Sequence, residues 1–337
     1  KGRMGRGIET EHGGSGPAGY RHVSIAAEEV ARGDASTSVS WLAHLALGTE
    51  CIARFGTDDQ KERLLTPLAS GEAVAAFGLT EPSGGSDAAA HQTTATERDG
   101  TYCLNGSKRF ITNGSVASTI VVFATEDRSK GYKGISAFLV QKDSPGLTIN
   151  PMHGKLGMRS STTDEIVFQD TPVSSNNLLG ERGRGFNLAM EILTQSRIII
   201  AAQSVGIGQS ALEAAVRFAQ LRETFGKPIA QHQAIQLKLA DMATKIQAAR
   251  LLTYDAAAKK DAGQRVDLEA GMAKLFASEV CGEVTLDAMR VHGGYGYIKD
   301  FDVERYYRDA PLMIIGEGTN EIQKLVIARR LLEKYAI

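Results

Sequence analysis

Apolar residues recur at helical spacing over roughly residues 20–69. Val23, Ala26, Ala27, Val30 and Ala31 share one face, and after a break at Gly33-Asp34 the pattern resumes with Val39, Leu42, Ala43, Leu45, Ala46 and Leu47. Gly56-Thr57-Asp58 then starts another short helix. Near Gly71 the period shortens to two. Thr93–Arg98 and Thr101–Leu104 alternate, with Asp99-Gly100 and Asn105-Gly106 reading as tight turns. Thr119–Thr125, Ile135–Gln141 and Glu165–Gln169 are rich in Val, Ile and Phe. These short strands predict a small antiparallel barrel or sandwich. From Gly185 the helical period returns, with Ile198, Ala201, Ala202, Val205, Leu212, Ala215, Val216 and Ala219 on one stripe. Two more stripes follow, Ile235, Leu237, Leu239, Met242 and Ile246, then Leu268, Met272, Leu275, Phe276 and Val280. With a last helix they predict a bundle of about four. The expected fold is α+β: an α-helical domain over 1–71, a β domain over 72–183 and a C-terminal four-helix bundle over 184–337.

Composition adds limits. The 337 residues, 42% apolar, suffice for two or three structural units. A net charge of −1 makes no electrostatic case for nucleic acid or an anionic membrane surface. No apolar run in the sequence reaches the ~20 residues of a membrane helix, so no membrane insertion is expected. Cys51, Cys103 and Cys281 are odd in number and far apart, which fits a reducing compartment and leaves no CxxC motif. The histidines are scattered without an HExxH, so no metal is expected. The chain starts at Lys1 with no initiator Met and no signal core; residues are expected to be missing before it.

The densest chemistry lies near the end. Pro311-Leu-Met-Ile-Ile-Gly-Glu-Gly-Thr-Asn-Glu-Ile-Gln323 places Glu317 between two glycines, ahead of a helix that Thr319 or Asn320 can cap. It reads either as a solvated loop acid or as a general base aimed into a pocket. Gly206-Ile-Gly208-Gln-Ser-Ala211 matches a dinucleotide fingerprint, yet the helical stripe runs through it unbroken, so these glycines read as sites of close helix packing. Phe77-Gly-Leu-Thr80-Glu-Pro-Ser-Gly-Gly85-Ser86-Asp87 is a turn dense in hydroxyls and free N–H groups, suited to phosphate or a polar ring edge. Phe110-Ile-Thr112-Asn113-Gly114 puts an aromatic and a hydroxyl on one side of a strand. Arg222-Glu-Thr224-Phe225-Gly226-Lys227-Pro228 sets a cation beside an aromatic between two helices.

These segments, with the His-Gly-Gly-Tyr-Gly run at 292–296, stand in an order and at separations that resemble the acyl-CoA dehydrogenase family over essentially the whole chain. The resemblance implies FAD, an α–β–α fold, a homotetramer built from dimers, and transfer of electrons to electron-transfer flavoprotein. The compartment it implies is the bacterial cytoplasm, or the mitochondrial matrix if a transit peptide has been removed. By the same match Phe77, Leu79, Thr80, Gly85 and Ser86 line the flavin, and Phe110 and Thr112 pack and hydrogen-bond against it. Arg222, Thr224, Phe225, Ile229, His232 and Gln233 would meet the pyrophosphate and adenine end across a subunit interface. Gly293 and Gly294 would let backbone approach closely, and Thr319 and Glu321 would also touch FAD.

For acyl-CoA the match implies Ser86, Thr194, Arg197 and Gly318, Thr194 standing where many members carry an acid. Glu317 would remove the α-proton while a hydride leaves the β-carbon for the flavin, giving a trans-2-enoyl-CoA. Its backbone N–H would polarise the thioester carbonyl, and its carboxylate would rise in pKa once substrate excludes water. Some branched-chain members carry the base just before the residue matching Arg197; here that position is Ser196. The segment Gly208–Leu221, with Met313, Ile314 and Ile315, is expected to line the acyl pocket. The competing expectations are an acyl-CoA oxidase or related flavin oxidase on the same fold, and a non-catalytic helical scaffold.

Overall fold

The structure, a computed structural model, describes residues 4–5, 7–16 and 18–336. Lys1, where the chain starts, and Pro17 lie outside the described residues. Helices α1 (Tyr20–Gly33), α2 (Ala35–Leu42), α3 (Glu50–Phe55) and α4 (Asp58–Ser70) come first, with a π-helical turn at Ala43–Thr49. Strands follow: β1 (Ala75–Gly78), β2 (Thr94–Arg98), β3 (Thr101–Thr112), β4 (Thr119–Thr125), β5 (Ile135–Gln141), β6 (Leu147–Pro151), β7 (Thr163–Ser174) and β8 (Leu178–Leu179). Next come α5 (Gly185–Leu221), a two-residue-stranded hairpin of β9 (Glu223–Thr224) and β10 (Lys227–Pro228), then α6 (Gln233–Asp261) and α7 (Asp267–His292). The short α8 (Val303–Asp309) and α9 (Pro311–Ile315) lead to α10 (Asn320–Lys334). The order is helices, sheet, helices.

The chain forms two compact units. One comprises the described residues up to Ala18, Ser40–Gly154 and Ser160–Ser196. Its strands run β6-β7-β3-β2-β4-β5-β8, with β1 beside β4. Most pairs are antiparallel, as expected, but β1 and β2 both pair with β4 in parallel. Strand β4 is buried at every position because both faces carry a core. Val121 and Phe123 face the helices through Leu47, Ile52, Leu65 and Leu68, whereas Ile120, Val122 and Ala124 face Leu104, Phe138 and Ile166. Thr57 caps α4 through a capping box with Gln60, as the sequence predicts. Asn105-Gly106 is no turn. It lies inside β3, opposite a bulge whose extra residue is on β7 between Thr171 and Phe168; Gly106 takes φ 141° and a Cβ there would fall 2.6 Å from Cα of Thr93.

The other unit holds Gly19–Val39, Lys155–Arg159 and the chain from Arg197. Its core is an alanine seam: Ala211, Ala215 and Ala219 of α5, Ala249 and Ala256 of α6, Ala270, Ala273 and Ala277 of α7. Small residues let long helices approach closely. The larger apolar residues expected there are partly misplaced. Val216, Leu237 and Phe276 are exposed, because period alone does not tell which face of a two-sided apolar helix meets the neighbour. Gly206 and Gly208 serve packing. A Cβ at Gly206 would fall 2.2 Å from the Glu28 carbonyl of α1, and one at Gly208 would fall 2.3 Å from Cδ1 of Ile246 of α6. Helix α5, at 37 residues, is long and apolar enough to cross a membrane, which the sequence reading missed; 78% of its apolar window is buried in protein.

Candidate active site

In the helical unit, α9 ends at Ile315 and α10 begins at Asn320, leaving four residues between them. Glu317 adopts φ 57° and Gly318 φ 86°. A left-handed glutamate is strained, costing of order 1–3 kcal/mol, and persists only where its surroundings hold it. Gln323, fully buried, donates from Nε2 to O of Gly318 at 3.0 Å. A side chain at Gly318 would meet that Nε2 at 2.8 Å. Thr319 caps α10 by accepting from N of Ile322, and Asn320 is buried within the helix start. Glu321 is exposed in the first turn, its carboxylate held below the ordinary value chiefly by backbone hydrogen bonding, then by Thr319.

Two cations surround this loop. Arg197 of α5 is 7% exposed, and its Nε is buried with no hydrogen-bond partner among the described residues. Burial pulls its pKa down while Glu317 and then Asp267 push it up. Lys274 of α7 is fully buried; burial lowers its ammonium to about 8, opposed by Glu317 and helped by Arg197. An orphaned guanidinium N–H beside a carboxylate is a site short of one acceptor group, which suits an acyl thioester carrying carbonyl and phosphate oxygens. Met313 is 1% exposed and packed with Ala31 and Ile207 in the core. Ile315 is exposed.

Among the residues expected at FAD in the same unit, Arg222 lines a cavity of about 740 Å³ with Arg32 and Arg217 and the rings of Phe218, His292 and Tyr295. The Arg222 guanidinium lies 5.6 Å from the centre of the Tyr295 ring. Cations beside the exposed Tyr295 ring fit a nucleotide's phosphates and base. Phe225 sits at the hairpin tip, 95% exposed and edge-on to His232, whose Nε2 is 3.3 Å from Oγ1 of Thr224. Gln233 begins α6. Ile229 is instead buried in the helical core. Gly293 and Gly294 are exposed, with open space where a Cβ would stand.

In the β-containing unit, the Phe77–Asp87 turn leaves β1. Phe77 packs on Phe123 with ring centres 5.0 Å apart, and Leu79 is buried. Gly85 and Ser86 are exposed. Thr80 accepts at its carbonyl from N of Arg109, which ties the turn to β3 just before Phe110. Phe110 takes φ 62° at a second bulge and is 60% exposed; Thr112 is half-buried, paired with Thr163. The bulge breaks simple alternation, yet Phe110 and Thr112 both flank the buried Ile111. An exposed aromatic face and hydroxyls near a glycine-rich turn fit a flavin ring. Thr194 of α5 spends its hydroxyl on O of Met190. Ser196 donates to O of Leu193.

Beneath this turn lies a charged cluster that the sequence reading missed. Nζ of Lys108, fully buried, donates to Oε1 of Glu81 at 2.6 Å and to O of Leu79 at 3.2 Å, with Nδ1 of His91 at 2.9 Å. Glu81 also accepts from the backbone N–H groups of Gln92 and Thr93. Burial pushes its carboxylate up, but hydrogen bonds from His91 and Lys108 and the Lys108 charge outweigh it and hold it well below the usual range. The signal was present, since period two along β3 points Tyr102, Leu104 and Lys108 inward.

Three family models cover the chain: acyl-CoA dehydrogenase N-terminal domain (residues 1–72), middle domain (76–171) and C-terminal domain (183–332). The chain belongs to the acyl-CoA dehydrogenase family. It is an FAD flavoprotein, an oxidoreductase whose reaction is the dehydrogenation of acyl-CoA, and its fold is that family's. It is similar to a mitochondrial short-chain specific acyl-CoA dehydrogenase of Bos taurus, 47% identical over 99% of this chain and 81% of the relative. The solved structure of butyryl-CoA dehydrogenase from Megasphaera elsdenii matches with a TM-score of 0.96 at 45% identity, over 98% of this chain and 87% of that one. A chain of a structure described as the electron transferring flavoprotein of Acidaminococcus fermentans matches with TM-score 0.95 and 47% identity, over 98% and 87%.

Proposed function

We propose that the chain oxidises short-chain acyl-CoA thioesters, with Glu317 as the base that takes the α-proton. The observation that carries the site is the left-handed Glu317, held in a strained loop beside the buried Arg197 and Lys274. The substrate class rests on likeness to short-chain and butyryl-CoA enzymes. Arg197, with its open Nε, and Gly318 take the thioester; Ser86 and Thr194 are the remaining acyl-CoA residues. Glu317 accepts the α-proton, the β-carbon loses a hydride, and the α–β bond becomes double. Bound FAD supplies the two-electron acceptor.

Phe77, Leu79, Thr80, Gly85, Ser86, Phe110 and Thr112 would hold the flavin ring. Arg222, Thr224, Phe225, His232, Gln233, Gly293, Gly294, Thr319 and Glu321 serve its other parts. Ile229 acts from the core by supporting the hairpin. The domains run 1–71, 72–183 and 184–337, and the chain works as a homotetramer that passes electrons to an electron-transfer flavoprotein, in the cytoplasm if bacterial or in the mitochondrial matrix. A panel of acyl-CoA chain lengths with an artificial electron acceptor tests the substrate. Turnover should be highest on short straight chains; a preference for long or branched chains overturns that assignment.

A further inference from the structure

Lys274 stands in the apolar register of α7, one turn from Ala270 and Ala277, and is fully buried. A buried ammonium is costly unless every donor is used. Its Nζ donates to O of Ile314 at 3.0 Å and to Oδ1 of Asn320 at 2.8 Å. Ile314 lies two residues before Gly316, and Asn320 lies two residues after Gly318. One ammonium therefore grips both ends of the strained loop that carries Glu317. Asn320 is fixed in turn, donating from Nδ2 to Oγ of Ser278 and to Oε1 of Glu279, each at 2.9 Å. Lys274, Ser278 and Glu279 all project from one side of α7, so a single rigid helix sets the loop.

We infer that Lys274 is a positioning residue for the Glu317 loop, holding its two ends together and keeping a positive charge behind the carboxylate so that it stays ionised before proton transfer. This rests on Glu317 being the base. The charged groups facing Lys274 are Glu317, Arg197 of α5, Glu321 of α10 and Glu279 of its own helix. Helix α9 brings none, and on α6 Lys238 and Lys245 pair with Asp287 and Glu283 farther along α7. Arg197 opposes Lys274, and the three carboxylates favour its charge. Removing the Lys274 charge takes away a cation that favours the ionised Glu317, which raises the pH at which it ionises.

The test compares FAD-loaded Lys274→Gln, Lys274→Arg and Lys274→Met with the parent enzyme, reading kcat and KM across pH. Lys274→Gln keeps a donor and removes the charge; the acid limb of kcat should move up by about one pH unit, the size an adjacent charge exerts. Lys274→Met loses both, and kcat should fall about tenfold to a hundredfold, as expected for a displaced base, with KM nearly unchanged. Lys274→Arg should keep the limb in place. If Lys274→Gln shows the parent's limb, the charge role is overturned, and if Lys274→Met or, should it fail to fold, Lys274→Ala keeps the parent's kcat, the clamp is overturned. Glu317→Gln, run alongside, separates the two ideas. If it keeps turnover, the base assignment itself falls; if it loses turnover while the Lys274 variants behave as the parent, only the present inference falls.

Discussion

Lys108 and Glu81 form a salt bridge of 2.6 Å that is sealed from solvent on both sides. Removing either partner leaves the other charge buried and unpaired, which costs about 3–5 kcal/mol. Lys108→Met or Glu81→Gln should therefore lower unfolding stability by that order in a denaturant titration. The double variant should recover part of the loss, and equal additive losses would show the pair to be uncoupled.

The same pair sets a pH dependence. The Glu81 carboxylate is depressed in the folded state relative to its ordinary 4.5. Its contribution is present above that pH and is lost on acidification, because the unfolded chain binds the proton first. Stability measured at successively lower pH below about 4.5 should fall less steeply in Glu81→Gln than in the parent.

Glu317→Gln should lower kcat by about 10²–10⁴-fold, the usual contribution of a positioned base, while the protein still purifies yellow with flavin. Near-parent turnover would remove Glu317 from the mechanism.

Glu317→Gly should be inactive and less stable. Glycine relieves left-handed strain of about 1–2 kcal/mol, but the buried Arg197 and Lys274 lose the carboxylate that offsets their burial, and leaving buried charge uncompensated costs more. A net loss in denaturant unfolding is the expected result; a gain would mean that backbone strain outweighs the charge pairing.

Gly206→Ala should destabilise by about 1–3 kcal/mol through overpacking, since its Cβ would fall 2.2 Å from the Glu28 carbonyl. Thermal unfolding of the FAD-loaded enzyme measures it. Unchanged stability would contradict the packing role of this glycine.

Periodicity and motif order carried the sequence a long way. Strands β4 and β5 begin and end where their apolar runs do, because a strand covered on both faces needs a continuous apolar run. The unbroken stripe through Gly206 and Gly208 marked one long helix and rejected a nucleotide fold. The order of the turn at Phe77–Asp87, the Phe110–Gly114 strand and the Gly316–Gly318 loop was enough to place the chain in its family. Three things needed the tertiary structure. Asn105-Gly106 stays inside β3 because β7 continues past it, bulged by one residue opposite, and a turn dipeptide cannot report whether its partner strand continues. The face of α7 that is buried proved to be alanine rather than Leu268, Met272, Leu275 and Phe276, since helix spacing depends on the neighbour. Lys108 and Lys274, which read as ordinary lysines, are both buried among partners 17 to 46 residues away in sequence. A charge becomes structural only when distant groups meet it, and that meeting is decided by packing, not by the local sequence around it.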